Sequence, residues 1–156
     1  MTAKPGVGDK APSFNLPRDG SGKMSLASLK GKKLVLYFYP KDDTSGCTKE
    51  AIDFTALKAQ FAKAGAEVIG VSPDAVKAHD KFVAKHKLGI ALLSDESKEM
   101  LEAYGVWTEK SMYGRKYMGV ERTTFLIGAD GKIAQVWNKV KVPGHAEEVL
   151  AAAKAL

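Results

Sequence analysis

The feature that most constrains the fold is a run of six apolar or aromatic residues, 34–39, which Pro40 closes. A run of this length without a polar residue is typical of a strand that is buried on both faces. After the loop at residues 41–46, apolar residues recur at three- and four-residue spacing as far as Phe61, which predicts an amphipathic helix. This order of strand, loop and helix indicates an α/β fold.

The remaining sequence continues this alternation of strands and helices. Further strands are predicted at residues 14–16, 66–72, 92–93, 123–127 and 132–137, and further helices at residues 73–87, 94–104 and 144–156. Residues 106–121 are predicted to form an irregular, aromatic-bearing connection. The last two strands form a hairpin around an Asp-Gly pair. We therefore predict one domain over residues 1–156, a thioredoxin-like α/β sandwich whose central mixed sheet is flanked by helices.

The only cysteine, Cys47, stands where the buried strand gives way to the helix. At about 100° per residue, it shares the apolar helix face with Glu50, Phe54, Leu57 and Phe61. The first N–H groups of a helix have no partner within it and carry the positive end of its dipole, so a thiolate here is stabilised. A thiolate attacks electrophiles, whereas a thiol does not. The position of Cys47 between strand and helix therefore favours a reactive cysteine over a buried, inert one. Asp42, Asp43 and Thr44 are predicted to cap the helix.

A second charged group is predicted beside this thiol. Glu50 lies on the apolar face, where a carboxylate must pair with a cation. Arg122 is the strongest candidate, because it stands immediately before the strand-like residues 123–127. An arginine held by Glu50 would stabilise the thiolate and bind a polar substrate. The alternative is that Glu50 caps the first turn as an exposed residue.

Charge and hydropathy exclude several classes of protein. The net charge is +6, but the lysines are dispersed among acidic residues and the densest basic stretch, residues 110–117, is short, so nucleic-acid binding is not expected. No apolar run approaches the roughly 18 residues of a membrane span, and residues 1–6 lack the apolar core of a signal peptide. A single cysteine fits a reducing compartment, so a cytoplasmic protein is expected.

Pro40, Thr44 and Cys47 together spell Pro-x-x-x-Thr-x-x-Cys, which resembles the peroxidatic motif of peroxiredoxins. With Arg122 added, the combination is far more specific than a lone cysteine. The wider sequence is similar to the bacterioferritin comigratory protein, or Q-type, branch of that family. The segments that carry this resemblance are residues 8–14, 37–50, 70–72 and 121–127.

The resemblance implies that the chain reduces hydrogen peroxide and organic hydroperoxides without a metal or an organic cofactor. Cys47 would attack the peroxide and become a sulfenic acid. The Thr44 hydroxyl and the Cys47 N–H would hold the peroxide oxygens in line. Arg122, oriented by Glu50, would stabilise the thiolate and the charge on the leaving oxygen. Pro40 would shield the sulfur from water.

The sequence departs from the branch in how it would be recycled. Q-type relatives often carry a resolving cysteine five residues after the first or in the next helix. Here Ile52 occupies the first position, and the matching stretch around Val83 contains no cysteine. The resemblance therefore implies an external thiol as reductant, namely thioredoxin, a glutaredoxin, glutathione or another small thiol. It also favours a monomer.

Other cysteine chemistries fit the sequence less well. A cysteine phosphatase needs an arginine six residues after the cysteine, where Asp53 stands, and a Cys-x-x-Cys oxidoreductase needs a cysteine where Glu50 stands. A cysteine hydrolase needs a histidine base. His79, His86 and His145 lie on other segments, and the first two are predicted to share an exposed helix face, where their binding a metal as a pair is not expected.

Two non-enzymatic alternatives remain open at the level of sequence. One is a peroxide-sensing or thiol-redox binding module on the same fold, in which oxidation of Cys47 changes a contact with a partner. The other is a scaffold in which Cys47 is inert. A sensor would react once and stall when a thiol reductant is supplied, and an inert thiol would show no fast reaction.

Overall fold

The computed structural model describes residues 4–156. Residues 1–3 lie outside this range. The predicted domain, residues 1–156, and the segment said to lack a signal peptide, residues 1–6, both begin in this undescribed part. The strands are β1 (Asn15–Pro17), β2 (Lys23–Ser25), β3 (Lys33–Phe38), β4 (Ala66–Ser72), β5 (Ala91–Ser94), β6 (Trp107–Met112), β7 (Arg115–Val120), β8 (Thr123–Ile127) and β9 (Ile133–Trp137). The α-helices are α1 (Ser45–Ala56), α2 (Lys58–Lys63), α3 (Val76–His86), α4 (Glu99–Ala103) and α5 (His145–Ala155), and a 3₁₀ helix covers Ala27–Leu29.

Within the described residues, the central sheet has five strands in the order β5-β4-β3-β8-β9. Strand β4 runs parallel to β3 and β5, whereas β8 runs antiparallel to β3 and β9. The parallel strands are connected through helices, as crossover connections require, and β8 leads to β9 through a short turn. The predicted thioredoxin-like α/β fold with a mixed, helix-flanked sheet is confirmed.

Strand β3 lies at the centre of the sheet, and its side chains alternate between two cores. Leu34, Leu36 and Phe38 belong to one core, and Val35, Tyr37 and Tyr39 belong to the other, which also contains Cys47. The Tyr37 ring stacks on Phe54 of α1 with 4.8 Å between ring centroids. Its neighbour on β4 is Gly70, where a Cβ atom would lie 2.7 Å from Tyr37 Cζ. Glycine at this position therefore leaves room for the ring beneath α1.

The short strand β2 was not predicted, and the structure differs more clearly from the sequence-based expectation in three further segments. Residues 106–121, expected to be irregular, contain the β6–β7 hairpin, whose turn has positive φ at Tyr113 and Gly114. This hairpin was missed because most of its side chains are exposed, so no apolar face marks it. The helix expected to reach Phe61 breaks at Leu57 into α1 and α2, and α4 is shorter than expected. No helix of residues 4–156 is long and apolar enough to span a membrane.

Candidate active site

Cys47 lies in the first turn of α1, at the place where the chain leaves the central strand. Thr44 is the N-cap residue and the helix begins at Ser45, so Cys47 is the third helical residue. Its side chain is 1% exposed and packs into the core beneath α1. The N–H groups of Gly46 and Cys47 have no acceptor among residues 4–156. The thiol therefore lies beside unpaired backbone donors, as the strand–loop–helix pattern predicted.

Arg122 reaches this thiol because of the way β3 and β8 pair. The two strands are antiparallel neighbours with Phe38 opposite Thr123, so the residue before β8 lies beside the chain that leaves β3. Arg122 Nη2 donates to Cys47 Sγ at 3.3 Å, and Nη1 donates to Glu50 Oε1 at 2.7 Å. A single guanidinium group thus bridges the sulfur and the carboxylate, and the predicted association of these three residues is present in the structure.

Glu50 is held by one oxygen only. Its side chain is 1% exposed, and Oε2 has no hydrogen-bond partner among the described residues. Burial raises the pKa of Glu50 to about 7, although the Arg122 guanidinium opposes this shift. Burial lowers the pKa of Arg122, but the adjacent Glu50 and Cys47 charges outweigh this effect and raise the pKa above its usual value. Arg122 therefore stays charged, while Glu50 exchanges a proton near neutral pH.

This pKa predicts how stability depends on pH. Between about pH 4.5 and 7 the folded protein holds a proton on Glu50 that the unfolded chain has lost, so the free energy of unfolding falls as pH rises, by about 3 kcal/mol in all. Glu50→Gln should remove this component. Urea unfolding of both proteins from pH 4 to 8 tests the prediction, with the exposed Glu102→Gln as control. Curves that run parallel for wild type and Glu50→Gln would contradict it.

The other two motif residues flank the thiol. Thr44 is exposed and its Oγ1 donates to the Lys41 carbonyl oxygen at 2.9 Å, so the hydroxyl proton is already engaged and the oxygen lone pairs stay free to accept. Pro40 is half-buried and follows the central strand by two residues. Thr44 does occupy the N-cap position of α1, but the prediction that Asp42, Asp43 and Thr44 cap the helix through their side chains was wrong. The N-cap has no side-chain hydrogen bond, and these side chains bind elsewhere.

The loop before Cys47 is fixed from below by a buried histidine. His79 of α3 is completely buried, with Nδ1 2.6 Å from Asp42 Oδ2 and Nε2 2.8 Å from the Leu93 carbonyl oxygen. The Leu93 carbonyl oxygen accepts from Nε2, and an ionised Asp42 carboxylate accepts from Nδ1, so the ring paired with this carboxylate is an imidazolium. Burial lowers the pKa of His79, but the hydrogen bond and charge of Asp42 outweigh it and raise the pKa above its usual value. Tyr39 completes the group by donating its hydroxyl to Asp42 Oδ1 at 2.5 Å.

A second, outer pair ties the same loop to α3. Asp43 accepts from Lys85 Nζ at 2.7 Å and lies 3.0 Å from His86 Nε2. His79 and His86 do share a helix face, but the prediction that this face is exposed was wrong, because it packs against the loop of Cys47. The signal that was missed is the match between two consecutive aspartates and two histidines seven residues apart on one helix.

Asp42, Asp74 and His79 also bring three ligand-type atoms within 4.8 Å of one another. Hydrogen bonds account for this cluster. Both nitrogens of His79 are engaged, and Asp74 Oδ2 accepts from the Asp42 N–H at 2.8 Å and from Ser72 Oγ at 2.7 Å. The cluster is therefore a support for the loop rather than an open ligand set.

Comparison with known proteins places this arrangement in a family. The AhpC/TSA family model matches residues 7–136. A putative peroxiredoxin Bcp of Coxiella burnetii is 55% identical over 92% of this chain and 95% of its own length, and peroxiredoxin Bcp of Bacillus subtilis is 47% identical over 92% of each. A cysteine-to-serine mutant of Xylella fastidiosa PrxQ superposes with a TM-score of 0.93 at 42% identity, covering 99% of this chain and 98% of its own. This similarity covers the strand, loop and arginine that build the site, and the protein accordingly belongs to the AhpC/TSA family as a peroxiredoxin of the Bcp/PrxQ group.

Proposed function

We propose that Cys47 is the peroxidatic residue and that Arg122, Glu50, Thr44 and Pro40 form its catalytic setting. A peroxiredoxin is a thiol-dependent peroxidase, so this chain reduces hydroperoxides with electrons from a thiol. The observation that carries the residue assignment is the guanidinium of Arg122, 3.3 Å from the sulfur and 2.7 Å from Glu50. A cation in this position stabilises both the attacking thiolate and the negative charge of the leaving oxygen.

The reaction follows from the groups around the sulfur. The thiolate attacks the terminal peroxide oxygen, an S–O bond forms as the O–O bond breaks, and the electron pair leaves with the second oxygen. That oxygen takes up a proton and departs as water or an alcohol, leaving a Cys47 sulfenic acid. The free Cys47 N–H donates to the bound peroxide, and Thr44 Oγ1 accepts from its O–H. Pro40 limits the access of water to the sulfur.

The substrates include both hydrogen peroxide and organic hydroperoxides. A Bcp relative from Xanthomonas campestris, with a TM-score of 0.89 at 44% identity, is described by its alkyl peroxide reduction activity, and we extend that activity to this chain. A peroxide-sensing module without turnover is the second candidate. It shares the site and differs only in whether the sulfenic acid is reduced again.

Recycling must come from outside the chain. Cys47 is the only cysteine, Ile52 is exposed on α1, and Val83 lies on α3 with no thiol near it. An external thiol therefore attacks the sulfenic sulfur, water leaves, and a second thiol reduces the mixed disulfide. We propose thioredoxin, a glutaredoxin or glutathione as the reductant, and a monomer that acts in the cytoplasm.

We also propose that residues 1–156 form one peroxiredoxin domain. The family match ends at residue 136, but α5 packs on the same core as Cys47. Its inward residues Ala146, Val149 and Ala153 are buried against that core. Removing α5 would therefore expose the face of the sheet that supports α1.

Stopped-flow fluorescence with hydrogen peroxide tests the proposed function. We expect one oxygen atom to be added to Cys47, at a rate more than about 10²-fold above that of free cysteine at the same pH. The reason is that the site holds hydrogen-bond donors in fixed positions around the reacting atoms, whereas water around free cysteine must reorient. Protein alkylated at Cys47 is the matched control, because the chain has no other thiol. A rate no faster than that of free cysteine would reject a peroxidatic Cys47.

Repeated turnover separates the enzyme from the sensor. With excess peroxide and a thioredoxin, glutaredoxin or glutathione system, an enzyme consumes many equivalents of peroxide per protein. A sensor consumes one equivalent and then stops while Cys47 remains oxidised. The reductant that sustains turnover at the lowest concentration identifies the partner among the three.

A further inference from the structure

A cavity of about 460 Å³ lies next to Arg122 and is lined by both acidic and basic residues. It is bounded by the base of the β6–β7 hairpin on one side and by the segment after β9 on the other. The lining residues are Thr108, Glu109, Lys110, Glu121, Arg122, Lys139 and Val140. Arg122 also contacts Cys47 Sγ, so this side chain connects the cavity to the candidate active site.

The Lys110 side chain runs toward the base of the hairpin. Across the hairpin Lys110 pairs with Tyr117, while Gly119 pairs with Thr108, two residues nearer the base. A Cβ atom at residue 119 would lie 3.3 Å from Lys110 Cδ, so the lysine stem packs over this glycine. Burial lowers the pKa of Lys110, and the nearby charge of Arg122 adds to this effect. The half-buried Lys110 ammonium group therefore lies close enough to Arg122 to interact with its charge.

The charges of this cavity do not balance internally. Among residues 4–156, neither Lys110 nor Lys139 has a carboxylate within 4 Å. Glu121 is already bound by Lys4 and by Thr123 Oγ1. Two cations thus remain without an ion-pair partner beside a reactive thiol.

The second acid of the lining does not neutralise them either. The strand alternation puts Glu109 on the opposite face of β6 from Lys110. The Glu109 carboxylate lies 3.9 Å from Lys116 Nζ on the same outer face of the hairpin. The lining therefore carries three cations, Lys110, Arg122 and Lys139, against two carboxylates whose ion-pair partners lie outside the lining.

We propose that Lys110 and Lys139 bind a carboxylate on the molecule that reacts at Cys47, so that anionic reactants are preferred over neutral ones of the same size. The inference rests on the proposed peroxidase function and names its substrate class. Two reactants meet Cys47 in turn, the hydroperoxide and the reducing thiol, and either can carry the carboxylate. In both cases a lysine ammonium group is a suitable point-charge partner.

Matched pairs of reactants distinguish the two sources. The peroxide arm compares cumene hydroperoxide with its para-carboxylate, and the thiol arm compares 2-mercaptoethanol with 3-mercaptopropionate. In each arm the measured quantity is the ratio of kcat/KM values for the charged and the neutral member. Lys110→Gln and Lys139→Gln should each lower this ratio by about 10-fold in at least one arm, and added salt should lower it in the wild type. The arm that responds tells which reactant carries the carboxylate.

Lys23→Gln is the matched control, since it removes one positive charge from an exposed side chain that does not line the cavity. Its ratio should equal that of the wild type. The inference is overturned if both cavity variants keep the wild-type ratio in both arms, or if Lys23→Gln lowers the ratio as much. A wild type that fails to turn over even the neutral hydroperoxide would reject the peroxidase function itself, which is a different result.

Discussion

Replacing Arg122 with methionine should slow the reaction of Cys47 with hydrogen peroxide by about 10²–10³-fold, the loss seen when one donor is removed from a preorganised anionic site. The reason is geometric: Arg122 Nη2 lies 3.3 Å from the sulfur, and no other cation contacts the sulfur among residues 4–156. Methionine fills much of the same volume without charge. Stopped-flow measurement of the second-order rate constant, with mass spectrometry of the product, gives the size of the effect.

The neighbouring carboxylate makes a sharper test possible. Without Arg122, Glu50 stays buried with neither oxygen bonded, and its pKa rises further because the opposing guanidinium is gone, so the carboxyl is protonated rather than left as a bare charge in the core. Arg122→Lys keeps the charge but not the two-pronged contact, so its rate should fall between those of wild type and Arg122→Met. The double variant Arg122→Met/Glu50→Gln should be no slower than Arg122→Met alone. If Arg122→Met reacts at the wild-type rate, Arg122 has no role in the chemical step.

The centre of this site could be predicted because its signals are local in the sequence. The position of Cys47, and its face shared with Glu50, follow from the period of a single helix. One further assumption is needed to place Arg122 beside the thiol, namely that the strand it precedes lies next to β3. The pairing of Phe38 with Thr123 confirms that assumption. A buried carboxylate without a local partner was the clue that made the link.

The support of the site could not be predicted in the same way. His79 lies 37 residues from Asp42. A histidine on an amphipathic helix is predicted to be exposed unless the packing of α3 is known. The β6–β7 hairpin has no apolar periodicity, since Lys110, Met112 and Tyr117 share one face of it although they differ in polarity. In both segments the decisive contacts are long-range and polar. Hydrophobic periodicity does not report such contacts.

The same packing indicates which group holds the loop of Cys47 in place. Asp42 accepts from Tyr39 and His79 through its two oxygens, while its backbone N–H donates to Asp74. The loop is therefore joined to β3, to β4 through the segment that follows it, and to α3. Of these groups, the imidazolium of His79 carries the only positive charge, so its loss should have the largest effect on the loop.

Replacing His79 with leucine should lower the free energy of unfolding by about 3–5 kcal/mol, because it leaves the Asp42 carboxylate buried without its cation. The amide hydrogens of residues 41–48 should gain more in exchange rate than those of β4. Such a difference shows that the loop loosens beyond the global loss of stability. The double variant Asp42→Asn/His79→Leu should recover part of the stability, since no unpaired charge remains. Equal effects in the single and double variants would contradict the ion-pair role.

The pH dependence of His79→Gln gives an independent check on the same group. The folded-state pKa of His79 is raised, so its ion pair contributes fully below the unfolded value of about 6.5 and is lost as pH rises through the folded pKa. Wild-type stability should therefore fall above pH 6.5 by an amount that His79→Gln does not show.

The Glu50 component of stability falls between about pH 4.5 and 7. Glu50→Gln should therefore flatten the lower part of the stability curve, and His79→Gln should flatten the upper part. Unfolding curves in urea across both ranges separate the two, and a His79→Gln curve that still falls like the wild type above pH 6.5 would mean that His79 is neutral in the folded protein.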